Sequence, residues 1–213
     1  MSVSILLAIC LGLAVDSLAQ PHPCKSPPFM QGHSVVIYPS GDYYSLEEFF
    51  YDGEGERVKR RAMETVDNHT VYREELMLYR AGVYYEIYRH NKTCIKAPFK
   101  VDWFPIGVPG DGSFQKQFVM GSLSVAGEGL LINSWTGQLP QFKAKYLMTF
   151  TEFGCLPLSI NLNIENVGYI VQDFYDIVVG IEDPGVFFPP PFCDKASDRG
   201  ETVTDFIDTL VKT

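Results

Sequence analysis

Short runs in which apolar and polar residues alternate recur along the chain, and such runs are typical of half-buried antiparallel strands. The two clearest lie at residues 143–153 and 158–165, where apolar side chains occupy every second position. A further period-two set comprises Tyr175, Ile177, Val179 and Ile181. Each run predicts a strand with one face buried and the other in contact with solvent.

Turn sequences between such runs predict two hairpins. Asp-Gly-Glu-Gly at residues 52–55 lies between two strand-like runs, and Asp-Gly in that position is a strong hairpin signal. Arg-Ala-Gly at residues 80–82 lies between two further runs. Residues 34–38 predict an earlier strand, and the Gly/Pro-rich residues 105–112 predict a loop.

The apolar spacing changes at the end of the chain. The residues that repeat there at helical intervals are Val203, Phe206, Ile207, Leu210 and Val211. With Thr202 as N-cap, residues 202–212 predict a short amphipathic helix. The whole pattern predicts an all-β domain of roughly eight to eleven strands, arranged as two sheets that pack or curl together.

The first residues are typical of a secretory signal peptide. Residues 5–15 carry no charge, and Ser17-Leu18-Ala19 places small residues at the positions that signal peptidase requires. The uncharged run is too short for a transmembrane helix, which needs about 20 apolar residues. We therefore expect cleavage after Ala19, secretion, no transmembrane segment, and a single domain over residues 20–213.

The cysteines that remain after the predicted cleavage are Cys24, Cys94, Cys155 and Cys193. An even number in a secreted chain predicts two disulfides, and the spacing leaves all three connectivities open. No Cys-x-x-Cys spacing indicates a zinc or redox site. Asn68 and Asn91 each begin an Asn-x-Thr sequon, which predicts N-glycosylation on surface loops.

Net charge and motif content exclude several classes of function. The 213 residues carry a formal net charge of −9, whereas a nucleic-acid-binding protein needs a basic surface to neutralise phosphates. The four histidines lie in none of the sequence motifs of hydrolases or metalloproteases. We expect no nucleic-acid partner, no organic cofactor and no enzymatic activity, although a secreted hydrolase that uses a pair of carboxylates stays open.

Aromatic residues are the unusual feature of the composition, at 14% of the chain. Many of them lie on the alternating faces of the predicted strands. Rings that face one another across curved sheets either fill a core or line a cavity for an apolar ligand. Composition alone leaves both alternatives open.

Calcium is a candidate ligand for this acidic chain. Asp173, Asp176 and Asp183 supply the hard oxygen atoms that calcium prefers, and they lie close together in the sequence. The same spacing is found along a solvated strand edge. The sequence therefore leaves a calcium site and a solvated edge as alternatives.

Several motifs resemble those of the ependymin family of secreted glycoproteins. Pro-Cys-Lys-Ser-Pro-Pro at residues 23–28 resembles the N-terminal start of that family, and Gly-Val-Tyr-Tyr-Glu-Ile at residues 82–87 resembles one of its hairpins. Ser-Trp-Thr-Gly-Gln-Leu-Pro at residues 134–140 and Gly-Cys-Leu-Pro at residues 154–157 are similar to the vertebrate sequences. The most specific motif is Asp-Pro-Gly-Val-Phe-Phe-Pro-Pro at residues 183–190.

This resemblance covers most of the chain and implies a particular fold. Members of the family have two stacked, curved antiparallel sheets that enclose a deep apolar pocket, similar to bacterial lipoprotein carriers. The disulfides implied by the resemblance are Cys24–Cys155 and Cys94–Cys193. The resemblance also implies a homodimer, lipid-like ligands, calcium binding, cell–matrix adhesion, and an extracellular or lysosomal location.

In such a fold the inward strand faces become the predicted pocket wall. The predicted wall residues are Phe49, Tyr51, Met77, Tyr79, Tyr85, Ile87, Trp135, Tyr146, Met148, Phe150, Leu162, Tyr175 and Ile177. Near residue 77, the period-two pattern does not decide whether Met77 and Tyr79 or Leu76 and Leu78 face inward.

Two functions of different classes follow from these observations. The first is a secreted, non-enzymatic glycoprotein that binds a lipid or other hydrophobic ligand between its sheets, with calcium as a candidate second ligand. The second is an extracellular, calcium-dependent cell–matrix adhesion protein whose sheets pack without a ligand cavity. The volume that the sheets enclose distinguishes the two, because several hundred cubic ångströms lined by these rings would favour ligand binding.

Overall fold

Hydrogen bonds between neighbouring strands join the chain into one curved sheet. The computed structural model describes residues 21–39, 43–66 and 69–204. Its strands are β1 (Phe29–Tyr38), β2 (Tyr43–Asp52), β3 (Arg57–Val66), β4 (His69–Leu78), β5 (Val83–Tyr88), β6 (Thr93–Pro98), β7 (Ser113–Gly121), β8 (Gly129–Leu139), β9 (Ala144–Thr151), β10 (Pro157–Ile164), β11 (Gly168–Val179) and β12 (Ser197–Asp198). Their order across the sheet is β12-β6-β5-β4-β3-β2-β1-β11-β10-β9-β8-β7.

The prediction of an all-β fold with curved antiparallel strands is confirmed. Both predicted hairpins are present as β2–β3 and β4–β5, and β9 and β10 cover the two runs with the clearest alternation. The strands that the pattern did not reveal are β6, β7, β8 and the two-residue β12, which pairs parallel with β6. In β7 most side chains are exposed, so its sequence carries no alternation of apolar and polar residues.

The pairing of β1 with β11 makes the two expected sheets continuous. Residues 30–37 of β1 pair antiparallel with residues 171–179 of β11. Side chains from β3 and β9 nevertheless line the same cavity, although β2, β1, β11 and β10 lie between them in the sheet. In a flat sheet these strands would be about 24 Å apart. The two halves of the sheet therefore curve towards each other and enclose a concave face.

The convex face of the N-terminal half is covered by residues 184–195. This segment contains the 3-10 turns Pro184–Phe187 and Pro191–Lys195. Its Val186 and Phe187 pack with Leu76 and Ile87 of the sheet in one buried cluster. Strands β4 and β5 are consequently buried on both faces, which is why periodicity could not decide which side of β4 faces inward.

Two disulfides fix the segments outside the sheet. Cys94–Cys193 joins β6 to the segment on the convex face. Cys24–Cys155 joins the N-terminal segment to the turn between β9 and β10. Both pairings implied by the family resemblance are confirmed.

A bulge in β11 changes which of its side chains face inward. Opposite β1, strand β11 has one extra residue, Asp176, with a φ of 52°. Phe174 before the bulge and Ile177 after it pack in the same buried cluster. Tyr175 therefore lies on the opposite face, where it is 48% exposed. The period-two set that begins at Tyr175 is broken by this bulge.

Some predictions fall on residues that the structure does not describe. The signal peptide at residues 1–19 and the sequon at Asn68 lie outside the described residues, and so does the predicted helix from residue 205 onwards. Val203, at the start of that helix, instead forms a parallel bridge with Phe99. The single-domain boundary at residue 20 stays a prediction. Within the described ranges, no helix is long and apolar enough to cross a membrane.

Candidate functional site

The concave face of the sheet encloses an apolar chamber of about 150 Å³. The residues of its wall are Phe49, Tyr51, Val58, Arg60, Tyr79, Val101, Asp102, Trp103, Phe104, Ile106, Gly107, Leu139, Phe142, Met148, Ile160, Leu162, Ile164, Ile170, Gln172 and Phe174. An apolar cavity of about 150 Å³ stays dry and accepts a benzene-sized group. Pockets that hold a whole drug-sized ligand begin at about 300 Å³. The chamber is thus smaller than the several hundred cubic ångströms expected of a ligand pocket, and it accommodates a ring or the end of an alkyl chain.

Strand alternation builds the C-terminal wall of the chamber. Ile160, Leu162 and Ile164 occupy every second position of β10 and face the chamber, and Met148 lies beside them on β9. The intervening residues Asn161 and Asn163 point to the other face of the sheet. The same period that predicted these strands thus produces an apolar surface on one side only.

Aromatic rings build the opposite end of the chamber. The Trp103 ring lies between two tyrosines, with its centroid 5.6 Å from that of Tyr51 and 4.8 Å from that of Tyr79. The rings of Phe49 and Phe174 meet edge to face at 5.4 Å. Edge-to-face and stacked rings at these distances attract each other and fix one another's orientation. This end of the wall is therefore held by ring contacts from four separate parts of the chain.

The loop that carries Trp103 is anchored to the N-terminal segment. The Val108 amide donates to the Cys24 carbonyl at 2.8 Å, and the Ser26 amide donates to the Ile106 carbonyl at 3.1 Å. Cys24 is in turn bonded to Cys155. The disulfide therefore links the loop over the chamber to the turn between β9 and β10.

Five of the predicted wall residues line the chamber, namely Phe49, Tyr51, Tyr79, Met148 and Leu162. Ile177 packs against the buried cluster that contains Phe49 and Tyr51, but it lies behind the wall. Tyr175 does not line the chamber because the bulge at Asp176 turns it outward.

The other predicted wall residues on the concave face do not line the chamber, although they are buried in clusters that also contain wall residues. Trp135, Tyr146 and Phe150 belong to the core of the C-terminal half. Met77 packs with Tyr84 beside β6.

Tyr85 and Ile87 lie on the convex face, in the cluster under residues 184–195. They face that way because Tyr84 and Glu86, the alternate residues of β5, occupy the concave face. The pairing of β5 with β4 agrees, since Tyr85 lies opposite Leu76 and not opposite Met77.

Several wall residues were not predicted from the sequence. The period-two set Ile170, Gln172 and Phe174 could have been found, but it was masked by the competing set that begins at Tyr175. Arg60 gave no signal, because β3 has charged residues on both faces and reads as a polar strand. The loop at residues 101–107 has no periodicity from which its packing could be predicted.

Beyond the chamber, the concave face of β2 to β5 carries buried charges. Arg60 Nη2 donates to Glu47 Oε1 at 2.8 Å, and its Nη1 lies 3.4 Å from Glu75 Oε2. Arg73 Nη2 donates to Glu64 Oε1 at 2.7 Å and lies 3.4 Å from Glu75 Oε1. Ions removed from water are stable only when they are paired and hydrogen-bonded, so these side chains hold one another in place.

Burial shifts the pKa values of this network. Burial raises the pKa of the Glu47 carboxyl, and the adjacent Arg60 opposes that rise in part. For Arg60 itself, burial lowers the pKa, but Glu47 and Glu75 raise it more, so the guanidinium stays protonated. The charge of Arg60 at the chamber wall is therefore independent of pH across the physiological range.

The three carboxylates predicted for calcium do not converge. Asp173 lies within β11 opposite Ser159. Asp176 lies at the bulge, 3.5 Å from His33 Nδ1, and Asp183 Oδ1 accepts a hydrogen bond from the Gly185 amide at 2.8 Å. Within the described residues, no group of three acidic, histidine or cysteine side chains is arranged to hold a metal ion. These three residues therefore do not fit a shared calcium site.

The chain is similar to known proteins over most of its length. The family model described as Ependymin matches residues 67–193. The protein named Ependymin from Notemigonus crysoleucas is 29% identical over 188 residues, which cover 88% of this chain and 87% of that protein. Mammalian ependymin-related protein 1 from Mus musculus is 29% identical over 192 residues, covering 87% of this chain and 82% of that protein.

The fold also occurs among solved structures, of which one example is similar over most of the chain. It is described as an uncharacterized conserved protein from Thermus thermophilus, and it superimposes with a TM-score of 0.52 at 8% sequence identity. The match covers 82% of this chain and 90% of that chain. At this identity the similarity establishes a shared fold and nothing about ligands.

Proposed function

The chain belongs to the ependymin family, and from this premise and the apolar chamber we propose that it binds a lipid or other hydrophobic ligand without catalysing a reaction. The observation that carries the proposal is an enclosed, mostly apolar cavity whose wall is built by both halves of the sheet. Transfer of an alkyl chain from water into such a cavity stabilises the complex by about 0.8 kcal/mol per buried CH₂.

The size of the chamber defines how a ligand would enter it. At about 150 Å³ it holds a ring or one end of a chain, and the rest of a longer ligand must extend towards solvent. Asp102 is an exposed residue of the chamber wall, which supports a ligand entrance at the loop after β6. The alternative of an adhesion protein with solidly packed sheets is less consistent with an enclosed cavity.

A substitution that fills the chamber with a tryptophan side chain tests this proposal. Leu162→Trp adds bulk at a half-buried wall position. We expect it to weaken the binding of Nile red, a neutral apolar fluorophore, by more than about tenfold, because the cavity volume is lost. Leu147→Trp is the matched control, because Leu147 is 43% exposed on the other face of β9. Equal binding by both variants would contradict the proposal.

We propose that the protein follows the secretory route, extracellular or lysosomal, as an N-glycosylated chain. Asn91 lies in an exposed turn, where its Oδ1 accepts hydrogen bonds from Thr93, and is thus accessible to glycosylation. N-terminal sequencing of the protein from culture medium should begin at Gln20. Peptide-N-glycosidase treatment should lower its mass. An intact Met1 in the mature protein would contradict this route.

We also propose that the protein is a homodimer. β7 ends the sheet, and the end of the β7–β8 hairpin exposes large apolar side chains. These are Phe118, Met120, Leu123, Val125 and Leu130. An edge strand beside exposed apolar residues is suited to pairing with a second copy. Sedimentation of the wild type as a dimer and of Leu123→Asp as a monomer would support this interface.

Calcium binding is supported by the family resemblance and not by the three aspartates described above. Calorimetric titration with calcium at physiological ionic strength tests it on the whole chain. Saturable heat would support a site built from other residues. The absence of heat would contradict both the proposal that the protein binds calcium and the proposal of calcium-dependent matrix adhesion.

A further inference from the structure

Arg60 gives the apolar chamber a polar end. It is 3% exposed and forms part of the chamber wall. Its Nε and Nη1 atoms donate no hydrogen bond to any described residue, although Nη1 is close to Glu75. Buried donors without an acceptor are unfavourable. A ligand oxygen that accepts from them would therefore bind favourably at this end of the chamber.

Gln172 is the second polar side chain of the wall that can contact such an oxygen. Its Nε2 lies 3.4 Å from Ser34 Oγ, to which it donates, and Ser34 Oγ donates to Glu47 Oε2 at 3.2 Å. The amide thus belongs to the same hydrogen-bonded group as Arg60. Because an amide has both donors and an acceptor, it can pair with a hydroxyl group as well as with a carbonyl oxygen.

The charges around Arg60 determine which kind of oxygen is favoured. Oxygen atoms of Glu47, Glu75 and Glu64 lie 2.8, 3.4 and 3.8 Å from its guanidinium nitrogens. Its positive charge is therefore already balanced by carboxylates of the protein. An additional anion would be removed from water and placed next to these carboxylates without a free cation to pair with.

The wider cluster offers no surplus of positive charge either. Besides the three carboxylates around Arg60 it contains Glu86, and its second buried cation is Arg73. Arg199, at the edge of the cluster, lies 3.8 Å from Glu86. If Glu47 is protonated, three carboxylates and three guanidinium groups remain, so no positive charge is left to pair with a ligand anion. The carboxylates are Glu64, Glu75 and Glu86, and the guanidinium groups are Arg60, Arg73 and Arg199.

We propose that the chamber selects neutral amphiphiles whose polar end is an oxygen acceptor, such as an alcohol or an ester, over the ionised carboxylate of a fatty acid. The alkyl part occupies the apolar wall, and the oxygen accepts hydrogen bonds from Arg60 and contacts Gln172. This selectivity rests on the proposed function, because it concerns the ligand of the same chamber.

A series of ligands with the same chain length tests the selectivity on the unmodified protein. Bound Nile red is displaced at pH 7.4 with 1-octanol, methyl octanoate, octanoate or octane. We expect octanol and the methyl ester to displace it at concentrations at least about tenfold lower than octanoate needs, because only octanoate carries an unpaired charge. Octane should also be weaker than octanol, since it leaves the Arg60 donors without an acceptor.

Two adjacent glutamates provide a matched pair of variants. Glu75→Gln removes one negative charge beside Arg60 and keeps an acceptor for the Tyr84 hydroxyl. It should shift the ratio of octanoate to octanol affinity towards octanoate by about tenfold. Glu74→Gln is the control, because Glu74 lies on the convex face of β4, where it pairs with Lys59 of β3. This variant should leave the ratio unchanged.

The outcomes separate this selectivity from the proposed function. If Nile red binds but octanoate displaces it as well as octanol does, the selectivity is wrong and the ligand chamber stands. Equal displacement by octane and octanol would likewise overturn the role of Arg60. Failure of Nile red to bind the wild-type chain would overturn both. If Glu75→Gln does not fold, the ligand series on the wild-type protein still decides the result.

Discussion

At the scale of single residues, Gly32 allows β1 to approach the bulge of β11 closely. A Cβ atom at this position would lie 2.9 Å from the Tyr175 carbonyl oxygen and 3.1 Å from Ile177 Cα. Both are backbone atoms at the bulge, so they cannot move aside as the end of a flexible side chain could. The close approach of β1 therefore requires glycine opposite the bulge that places Phe174 in the wall and Tyr175 outside it.

Gly32→Ala should therefore destabilise the fold. We expect a loss of about 1–3 kcal/mol in the free energy of unfolding, because the added methyl group forces the two strands apart. Urea denaturation followed by tryptophan fluorescence measures this loss. Gly110→Ala is the matched control, because its Cβ would meet no atom within 4 Å. Equal stability of the two variants would show that the contact at the bulge is not important.

The residues of the wall were predictable where alternation is uninterrupted, as for Met148 and Leu162. The position of Tyr175 was not, because a bulge inserts one residue and reverses the faces without any change in composition. Arg60 was not predictable for a different reason. Its burial depends on Glu47 of β2 and Glu75 of β4 as well as on Glu64 of its own strand, and only the folded sheet brings these carboxylates together.

At the scale of elements, the segment at residues 184–195 acts as a cover for the convex face. Phe187 is 3% exposed, and the Arg57 guanidinium lies 4.6 Å from its ring centroid. The adjacent Phe188 is 66% exposed. One ring of the pair thus anchors the cover and the other points into solvent.

Phe187→Ala should cost about 3–5 kcal/mol of stability, because it removes a buried ring and leaves a cavity under the segment. Phe188→Ala should change stability by less than about 0.5 kcal/mol, since it alters only an exposed side chain. Thermal unfolding of both variants measures the difference. Similar losses for the two would contradict the role of Phe187 as the anchor.

Strands joined by a strong turn signal were predictable in position. For strands buried on both faces, the position was predictable but the inward side was not. The hairpins β2–β3 and β4–β5 follow from Gly-containing turns between strand-like runs. The inward side of β4 was not decidable, because residues 184–195 bury its second face with apolar contacts as well. This cover has no periodicity of its own, so its packing depends on the fold and on the Cys94–Cys193 disulfide.

At the scale of the whole molecule, buried phenols link stability to alkaline pH. Burial raises the pKa of Tyr43, Tyr79 and Tyr84, and nearby carboxylates add to the rise. In the unfolded chain these phenols ionise near their ordinary pKa of about 10. The folded chain therefore keeps protons that the unfolded chain has released, and its stability is complete below pH 10 and falls as the pH rises further.

This linkage is measurable by absorbance at 295 nm, which reports tyrosinate. At about pH 10.5 the folded protein should contain fewer ionised tyrosines than the same protein in urea, and its unfolding midpoint should be lower than at pH 8. Identical tyrosine titration curves in the folded and unfolded states would contradict the burial of these phenols.

The all-β class and the two disulfides could be inferred before the structure, the first from alternation and the second from the family resemblance. The joining of both halves into one sheet could not, because it depends on the pairing of β1 with β11 across 130 or so residues of sequence. The chamber is a product of that curvature. Its small volume is set by the rings and the loop that pack against the concave face.

The most direct test of ligand binding is mass spectrometry of an organic extract from the protein purified without detergent. We predict about one neutral amphiphile per chain from the wild type and from Leu147→Trp. We predict its loss from Leu162→Trp, in which the chamber is filled. An extract without any ligand from the wild type, or the same amount from the filled variant, would contradict the assignment of the chamber as the binding site.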